Sequence, residues 1–511
     1  MERIERIPAQ WAQSRPEDAV VEEAGRVRTW RELEEARTAF AAELAALGVR
    51  AGDRVMIVGE NCAAMVALLF AIASLDAWIV NVNARLSVRE IESIRAHAQP
   101  RLVLFLPEAS PDAAAHAARE TCGTLAHGGW GTVSVSSQDP DCAPEAHDGR
   151  EPAQRVAALV YTTGTTGAPK GVMLTHANLL FVAATGGRLR QLGAQDRVFA
   201  VLPLSHVYGL ASVCLGSLLA GARLHLQPRF TPAGMRAALE EACVTICQGV
   251  PAMYAKYIEY LEAHGLAFRA PGLRAIYCGG SPLAASVKRG VEAAFGLTLH
   301  NGYGLTESAP TVAQTRHDAP RIDCSVGPAL PGVELRIVQP GGEPAAAGAI
   351  GELWVRGPNV MKGYYRDPGA TAEALRAGGW LATGDLARVD PDGALHIEGR
   401  LKELIIRSGF NVFPVEVEAV LNAHPGVSQS AVVGREVEGN EEVVAFVELV
   451  PGASVDAGAL AEFAAARLAP YKRPAEVIVM EKLPAAASGK LLKGRLKELA
   501  RASAAPRAPA G

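Results

Sequence analysis

Short runs of β-branched and aliphatic residues alternate with alanine-rich, helix-like stretches along the first 300 positions. RVMIVG (54–59), WIVNVN (78–83), RLVLFL (101–106) and AALVYTTG (157–164) read as strands, and RVFAVLPL, RLHLQP and LRAIYCGG repeat the pattern further on. A strand that is apolar throughout needs cover on both faces, and strands separated by helices pair in parallel. The pattern therefore predicts an α/β fold, with stacked βαβ units forming a large N-terminal domain. A chain of 511 residues can form two to four domains and needs no disulfide or metal to hold a core.

The texture changes near residue 325. GVELRIV, GELWVRG and GALHIEGR are strands with closely spaced Gly, Pro and Asp turns, which predicts a small β-barrel-like subdomain. After Gly399, ELIIRS, SAVVGRE and VVAFVEL read as strands. VEVEAVLNAH, ALAEFAAARLA and LLKGRLKELARA read as helices. The expected division is 1–399, a hinge at 400–403, a small α+β domain at 404–501 and a frayed tail at 502–511.

Composition excludes several classes. Lys plus Arg number 50 against 54 Asp plus Glu, a net charge of -4, which argues against a nucleic-acid partner. Hydrophobic residues at 49% exclude a disordered chain. The eight cysteines form no C-x-x-C pair, so they read as reduced thiols of a cytoplasmic protein. The N-terminus MERIERIPAQ has no apolar signal region, and the apolar stretch 63–80 reads as a buried helix rather than a membrane span. Oligomeric state is not legible.

Chemistry concentrates in a few segments. YTTGTTGAPKG (161–171) follows a strand and holds four threonines, three glycines and a lysine. Glycines let backbone N–H groups approach phosphate oxygens, and the hydroxyls and Lys170 add donors and charge. It is not a Walker A loop, because Pro169 stands before the lysine. In NGYGLTES (301–308) an aromatic between two glycines can lie flat against a base, and Glu307 offers a hard oxygen of the kind Mg²⁺ takes. In ATGDLARVDPDGALHIEGRLKELI (382–405) Asp385 can accept two hydrogen bonds at once. LPAAASGKLLKGRLKE (483–498) places Lys490 just before a basic helix.

These segments, in this order, resemble the adenylate-forming superfamily of acyl-CoA synthetases, non-ribosomal peptide adenylation domains and firefly-type luciferases. The likeness runs from ENCAAMVALLF (60–70) to Lys490. It implies ATP, Mg²⁺ and coenzyme A. By resemblance Thr162, Thr163, Gly164, Thr165, Thr166 and Lys170 hold phosphates. Gly280, Ser281, Asn301, Gly302 and Tyr303 meet the nucleotide, with Tyr303 against adenine. Thr306 donates to the α-phosphate and Glu307 holds the metal. Asp385 and Arg400 take the ribose, Lys402 is the pivot of a mobile C-terminal domain, and Lys490 enters the site for the first half-reaction. One departure is Ala485 after Pro484, where many relatives carry a basic residue.

For the acceptor, RSGFNVFP (407–414) resembles the pantetheine path, with Gly409 giving room, and YKRP (471–474) offers Lys472 and Arg473 to the nucleotide of CoA. Only 21 residues follow Lys490, too few for a fused carrier domain. A stand-alone adenylation protein serving a separate carrier, and a medium-chain fatty acyl ligase, remain alternatives. For the acid, LPLSHVYGL (202–210) resembles the segment whose His gates the carboxylate end, here His206. Gly279, Gly280, Gly302 and Ala309 leave space, with Met253 and Tyr254 closing one side. None of these positions is Lys or Arg, so a dicarboxylate would leave a buried charge unpaired and the expected acid is aromatic or medium-size and neutral.

Overall fold

The computed structural model describes residues 1–120, 123–127, 129–146, 151–163, 169–408, 410–437, 440–485 and 491–503. In one eight-stranded sheet Arg54–Gly59, Trp78–Asn83, Leu102–Phe105 and Val156–Thr163 run parallel. All six residues of Arg54–Gly59 are buried, as a strand covered on both faces requires. In a second eight-stranded sheet Arg223–Leu226, Arg197–Ala200, Ile246–Gly249, Ala275–Cys278 and Leu299–Gly304 run parallel. Thr311–Gln314 closes its edge antiparallel.

One continuous apolar core joins the two sheets through helices Ala63–Ser74 and His176–Leu189. Residues 63–73 are all buried, which marks a core helix, and the element ends at Ser74. Among the described residues no helix is long and apolar enough to cross a membrane. The seven described cysteines are free thiols.

A five-stranded sheet follows. Its strand Gly351–Arg356 alternates buried and half-buried positions, the signature of a sheet with one face packed and one wet. Leu353 and Val355 point into a separate core of this half-barrel. Beyond it, Val427–Val437, Asn440–Leu449 and Glu476–Met480 form a three-stranded sheet, with a hairpin Ile405–Arg407 and Phe410–Val412 beside it. The fold is thus α/β, with a large N-terminal domain and a smaller C-terminal one. Among the described residues no sheet or apolar core spans the 3₁₀ turn Leu401–Glu403. Lys402 is exposed on that turn. Lys493, at the start of helix Lys493–Ser503, bonds Glu403 of the turn at 2.9 Å and Glu418 at 2.8 Å.

Candidate active site

The phosphate segment sits on a hairpin. Strand Val156–Thr163 pairs antiparallel with Pro169–Thr175, and Thr162 stands directly opposite Lys170. Gly164, Thr165 and Thr166 lie outside the described residues, as do Gly409, Lys490 and the side chain of Thr163. Lys170 places its Nζ 5.0 Å from the ring centroid of Tyr364. The Tyr364 hydroxyl donates to Glu307 Oε1 at 2.7 Å. A single tyrosine therefore spans from the phosphate hairpin to the expected metal ligand. Burial, together with the Glu307 charge, pushes the Tyr364 phenol upward, so it stays a protonated donor. Sequence reading missed Tyr364. Its signal was the aromatic pair in GYYRDP, after Gly363.

Glu307 is placed by a tight turn. Thr306–Ser308 is a single 3₁₀ turn after strand Leu299–Gly304. The Ser308 hydroxyl donates to the Pro310 carbonyl at 2.6 Å, and the Glu307 carbonyl accepts from the Met361 amide at 2.9 Å. Thr306 is buried at the head of this turn.

The second group lies on the half-barrel. Strand Trp380–Val389 bulges: Trp354 pairs with Ala382 and Glu352 with Leu386, so Leu353 alone faces residues 383–385. Gly384 has φ +70°, a left-handed conformation that suits glycine. Thr383 Oγ1 donates to the Leu353 carbonyl at 2.7 Å and accepts from the Asp385 amide at 3.0 Å. Asp385 thereby turns inward and is buried. It accepts from the Tyr303 hydroxyl at 2.5 Å and pairs with Arg400 Nε at 3.0 Å. Burial alone would lower the Arg400 guanidinium, but the neighbouring Asp385 and Glu403 carboxylates outweigh it and hold the charge. The bulge, Tyr303 and Arg400 thus bring a ring, a carboxylate and a cation together beside the Glu307 turn.

The model of the AMP-binding enzyme family matches residues 8–365, and that of the AMP-binding enzyme C-terminal domain matches residues 416–490. The chain belongs to the AMP-binding enzyme family. It is 37% identical over 496 residues to a feruloyl-CoA synthase of an Amycolatopsis species, covering 96% of this chain and 97% of that protein. It is 35% identical over 491 residues to the 2-succinylbenzoate–CoA ligase of Geobacillus kaustophilus, covering 95% of each. Among solved structures, ATP-bound MatB from Rhodopseudomonas palustris superposes with a TM-score of 0.84 at 30% identity, over 97% of this chain and 99% of that one. The apo form of MatB gives 0.76 over 98% and 99%.

In this AMP-binding enzyme the expected acyl positions separate into two groups. A Cβ at Gly279 would stand 3.1 Å from the Gly302 carbonyl and 3.5 Å from the Tyr208 ring, so the two glycines form a narrow wall. Gly280 adopts φ +81°, and Ser281 follows it, half-buried. Met253 lies against Gly249 at the same strand ends, and His206 is exposed at the near side with its Nδ1 accepting from the Tyr208 amide at 3.3 Å. Tyr254 corrects the expectation of a pocket wall. It is fully buried, its hydroxyl donates to the carbonyls of Cys247 and Tyr277, and its ring packs on Phe295 behind the sheet. Ala309 is also fully buried, at φ 60° where the chain turns into Thr311–Gln314. Asn301 is held in place by its neighbours. Its Nδ2 donates to the Cys324 carbonyl at 3.1 Å, and its Oδ1 accepts from the Gly302 amide at 3.1 Å.

Arg190, at the end of helix His176–Leu189, stacks 5.4 Å from the Tyr277 ring and donates to Gln314 at 3.0 Å. It reaches the face that carries Gly302 from a helix far upstream in the chain.

On the C-terminal side, Lys472 does not stand as a free cation. Its ammonium pairs with Glu416 of helix Pro414–Leu421. Arg473 is exposed, with its Nε on the Leu468 carbonyl at 3.1 Å. Tyr471 stacks on Phe410 at 4.6 Å, which ties this loop to the hairpin beside it.

The glycine wall makes a direct prediction. Gly279→Leu places a branched side chain against Gly302 and Tyr208. The ratio of kcat/KM for a cinnamate-type acid over acetate should fall by at least about tenfold, since pocket shape at this scale discriminates by that much. An unchanged ratio would remove Gly279 from the acyl site.

Proposed function

We propose that this AMP-binding enzyme is an ATP-dependent acyl-CoA ligase for an aromatic or medium-size neutral acid. One observation carries the reading: Lys170, Tyr364 and Glu307 form one linked group and Tyr303, Asp385 and Arg400 another, and Tyr303 and Glu307 belong to the same segment 299–308. That is a cation and a hard carboxylate where a triphosphate would lie, next to a ring and a carboxylate suited to adenine and ribose. The feruloyl and 2-succinylbenzoate ligases among its relatives support an aromatic acid and CoA.

In the first half-reaction a carboxylate oxygen of the acid attacks the α-phosphorus of ATP. The bond to the β-phosphate oxygen breaks, giving acyl-adenylate and pyrophosphate. Anions are brought together, so cations and N–H donors must offset their repulsion. Lys170 and the Thr/Gly loop serve the phosphates, Thr306 the α-phosphate, and Lys490 the carboxylate and α-phosphate together. In the second half-reaction the CoA sulfur attacks the acyl carbonyl carbon, its proton leaves to solvent and AMP departs. Lys490 then withdraws as the C-terminal domain turns about Lys402, and the segment around Gly409 admits the pantetheine.

Mg²⁺ fits the donor set. Tyr364 occupies one Glu307 oxygen and leaves the other, and Mg²⁺ commonly takes one or two carboxylates together with substrate phosphates. Among the described residues no group of three His, Cys, Asp or Glu could hold an ion without such phosphates. A bound ion would supply charge neutralisation on the phosphates.

The test is pyrophosphate release over a panel of aromatic and aliphatic acids, with and without CoA. Thioester must form from free CoA at micromolar levels; release of pyrophosphate without consumption of CoA would favour transfer to a carrier protein. Glu307→Gln keeps the shape and removes the charge. Turnover should fall at least about tenfold and half-saturation should need more magnesium, because one charge-assisted contact is worth about 1.5–3 kcal/mol. An unchanged magnesium titration would remove Glu307 as the ligand.

A further inference from the structure

Residues 361–365 tie the phosphate hairpin to the Glu307 turn. Gly363–Tyr364 pairs antiparallel with Pro169–Thr175, the second strand of the hairpin, and Tyr364 stands opposite Val172. The Lys362 and Tyr365 amides donate to the Met173 and Gly171 carbonyls at 3.0 and 2.7 Å, and the Met361 amide donates to the Glu307 carbonyl at 2.9 Å. Successive side chains of a strand face opposite ways. Tyr365 turns into a core of the first sheet, where its ring packs on Trp78 and its hydroxyl donates to Glu145. Tyr364 therefore faces Lys170 and Glu307.

Tyr364 has little freedom to leave that position. Its amide donates to Thr371 Oγ1 at 2.9 Å, its ring carries the Lys170 ammonium, and its hydroxyl donates to Glu307 Oε1 at 2.7 Å. Glu307 is fixed as well, in a 3₁₀ turn whose carbonyl is bonded by Met361. Backbone contacts thus hold both partners of the phenol–carboxylate bond, so it persists beside a bound cation. Oε1 is committed to the phenol proton, and among the described residues no hydrogen bond reaches Oε2.

Cations differ in what they ask of a carboxylate. Mg²⁺ is small and octahedral, holds oxygens at about 2.0–2.1 Å, and takes one or two carboxylates beside substrate phosphates. Ca²⁺ accepts about six to eight oxygens at about 2.3–2.6 Å and can chelate both oxygens of one carboxylate. Such chelation at Glu307 would need Oε1, which the phenol holds. We propose that Tyr364 determines metal specificity: it leaves Glu307 one oxygen to offer and so favours Mg²⁺ over Ca²⁺. Tyr364 acts through Glu307, as a positioning residue. The inference rests on the nucleotide-site reading above and adds to it the residue that selects the ion.

The experiment measures binding of a non-hydrolysable ATP analogue to the full-length protein by calorimetric titration, over a range of MgCl₂ or CaCl₂ concentrations. The readout is the ratio of half-saturating Ca²⁺ to half-saturating Mg²⁺. Chelation of either ion by free analogue is the same for every variant and cancels when ratios are compared. The unmodified protein should need at least about tenfold more Ca²⁺ than Mg²⁺. Tyr364→Phe keeps the ring under Lys170 and should shrink that ratio at least about fivefold, since partners of a metal ligand commonly govern about 10–100-fold in affinity. Tyr364→Leu should shrink it as much and also weaken analogue binding with both ions, because Lys170 loses its ring. A ratio within one protein is indifferent to the fraction folded, and the unmodified protein alone decides if both variants misfold. Equal demand for the two ions in the unmodified protein would overturn the proposal, as would a Tyr364→Phe ratio no smaller than the parent's; both leave the nucleotide reading standing. Analogue binding indifferent to either ion would overturn Glu307 as the metal ligand and this proposal with it. No binding of the analogue would overturn the nucleotide site itself.

Discussion

The Lys490→Ala variant should form acyl-adenylate from acid and ATP at least about a hundredfold more slowly, while thioester formation from preformed acyl-adenylate and CoA continues. Removing one preorganised donor to developing charge typically costs about two to three orders of magnitude in rate. The asymmetry follows from the chemistry: the first half-reaction joins two anions, whereas the second expels AMP and needs the same space for a thiol. Lys490 lies three residues before Lys493, whose ammonium joins Glu403 of the 401–403 turn to Glu418. Movement at that turn is therefore coupled to the segment that carries Lys490. Burial acts to lower the Lys493 ammonium, and the two carboxylates more than reverse it, so this tether stays charged. Single-turnover assays of each half-reaction decide the matter. Equal loss in both would falsify the alternating role and assign Lys490 to folding or to both steps.

Asp385→Ala is the second large effect. The carboxylate is buried and holds both the Tyr303 hydroxyl and the Arg400 guanidinium. Losing it removes the acceptor for the ribose and releases the ring and the cation that frame it. Two charge-assisted bonds at about 1.5–3 kcal/mol each place the loss at about 3 kcal/mol or more, or roughly a hundredfold in KM for ATP. Asp385→Asn should lose less, because an amide oxygen still accepts from Tyr303. Calorimetric titration with a non-hydrolysable ATP analogue measures both. An alanine variant that binds the analogue as the parent does would remove Asp385 from the nucleotide site.

Arg54–Gly59 and Trp78–Asn83 are strands at the bounds read from sequence, because an apolar β-branched run has no other low-energy place in an α/β core. The Gly384 bulge was visible only as the string TGD, yet that string contains what the turn needs: a residue tolerant of positive φ between a hydroxyl and a carboxylate. Asn301 was read by motif as a ligand, and its side chain also ties the Cys324 carbonyl to the Gly302 amide, which the motif did not show. Lys472 looked like a free cation because Glu416 is 56 positions away in sequence.

The sequence by itself determined the alternation of strands and helices, the change of texture near residue 325 and the strings that carry Lys170, Glu307, Asp385 and Lys490. Each of these is a local property: hydrophobic period, turn chemistry, or residue types a few positions apart. Tertiary structure alone decided that Tyr364 joins Lys170 to Glu307, that Tyr254 faces the core, and that Arg190 meets Gln314 across 124 positions. Those contacts depend on which strands become neighbours and which helix covers them. Parallel pairing brings together segments separated by whole helices, and nothing in the spacing of residues along the chain encodes the distance across that fold.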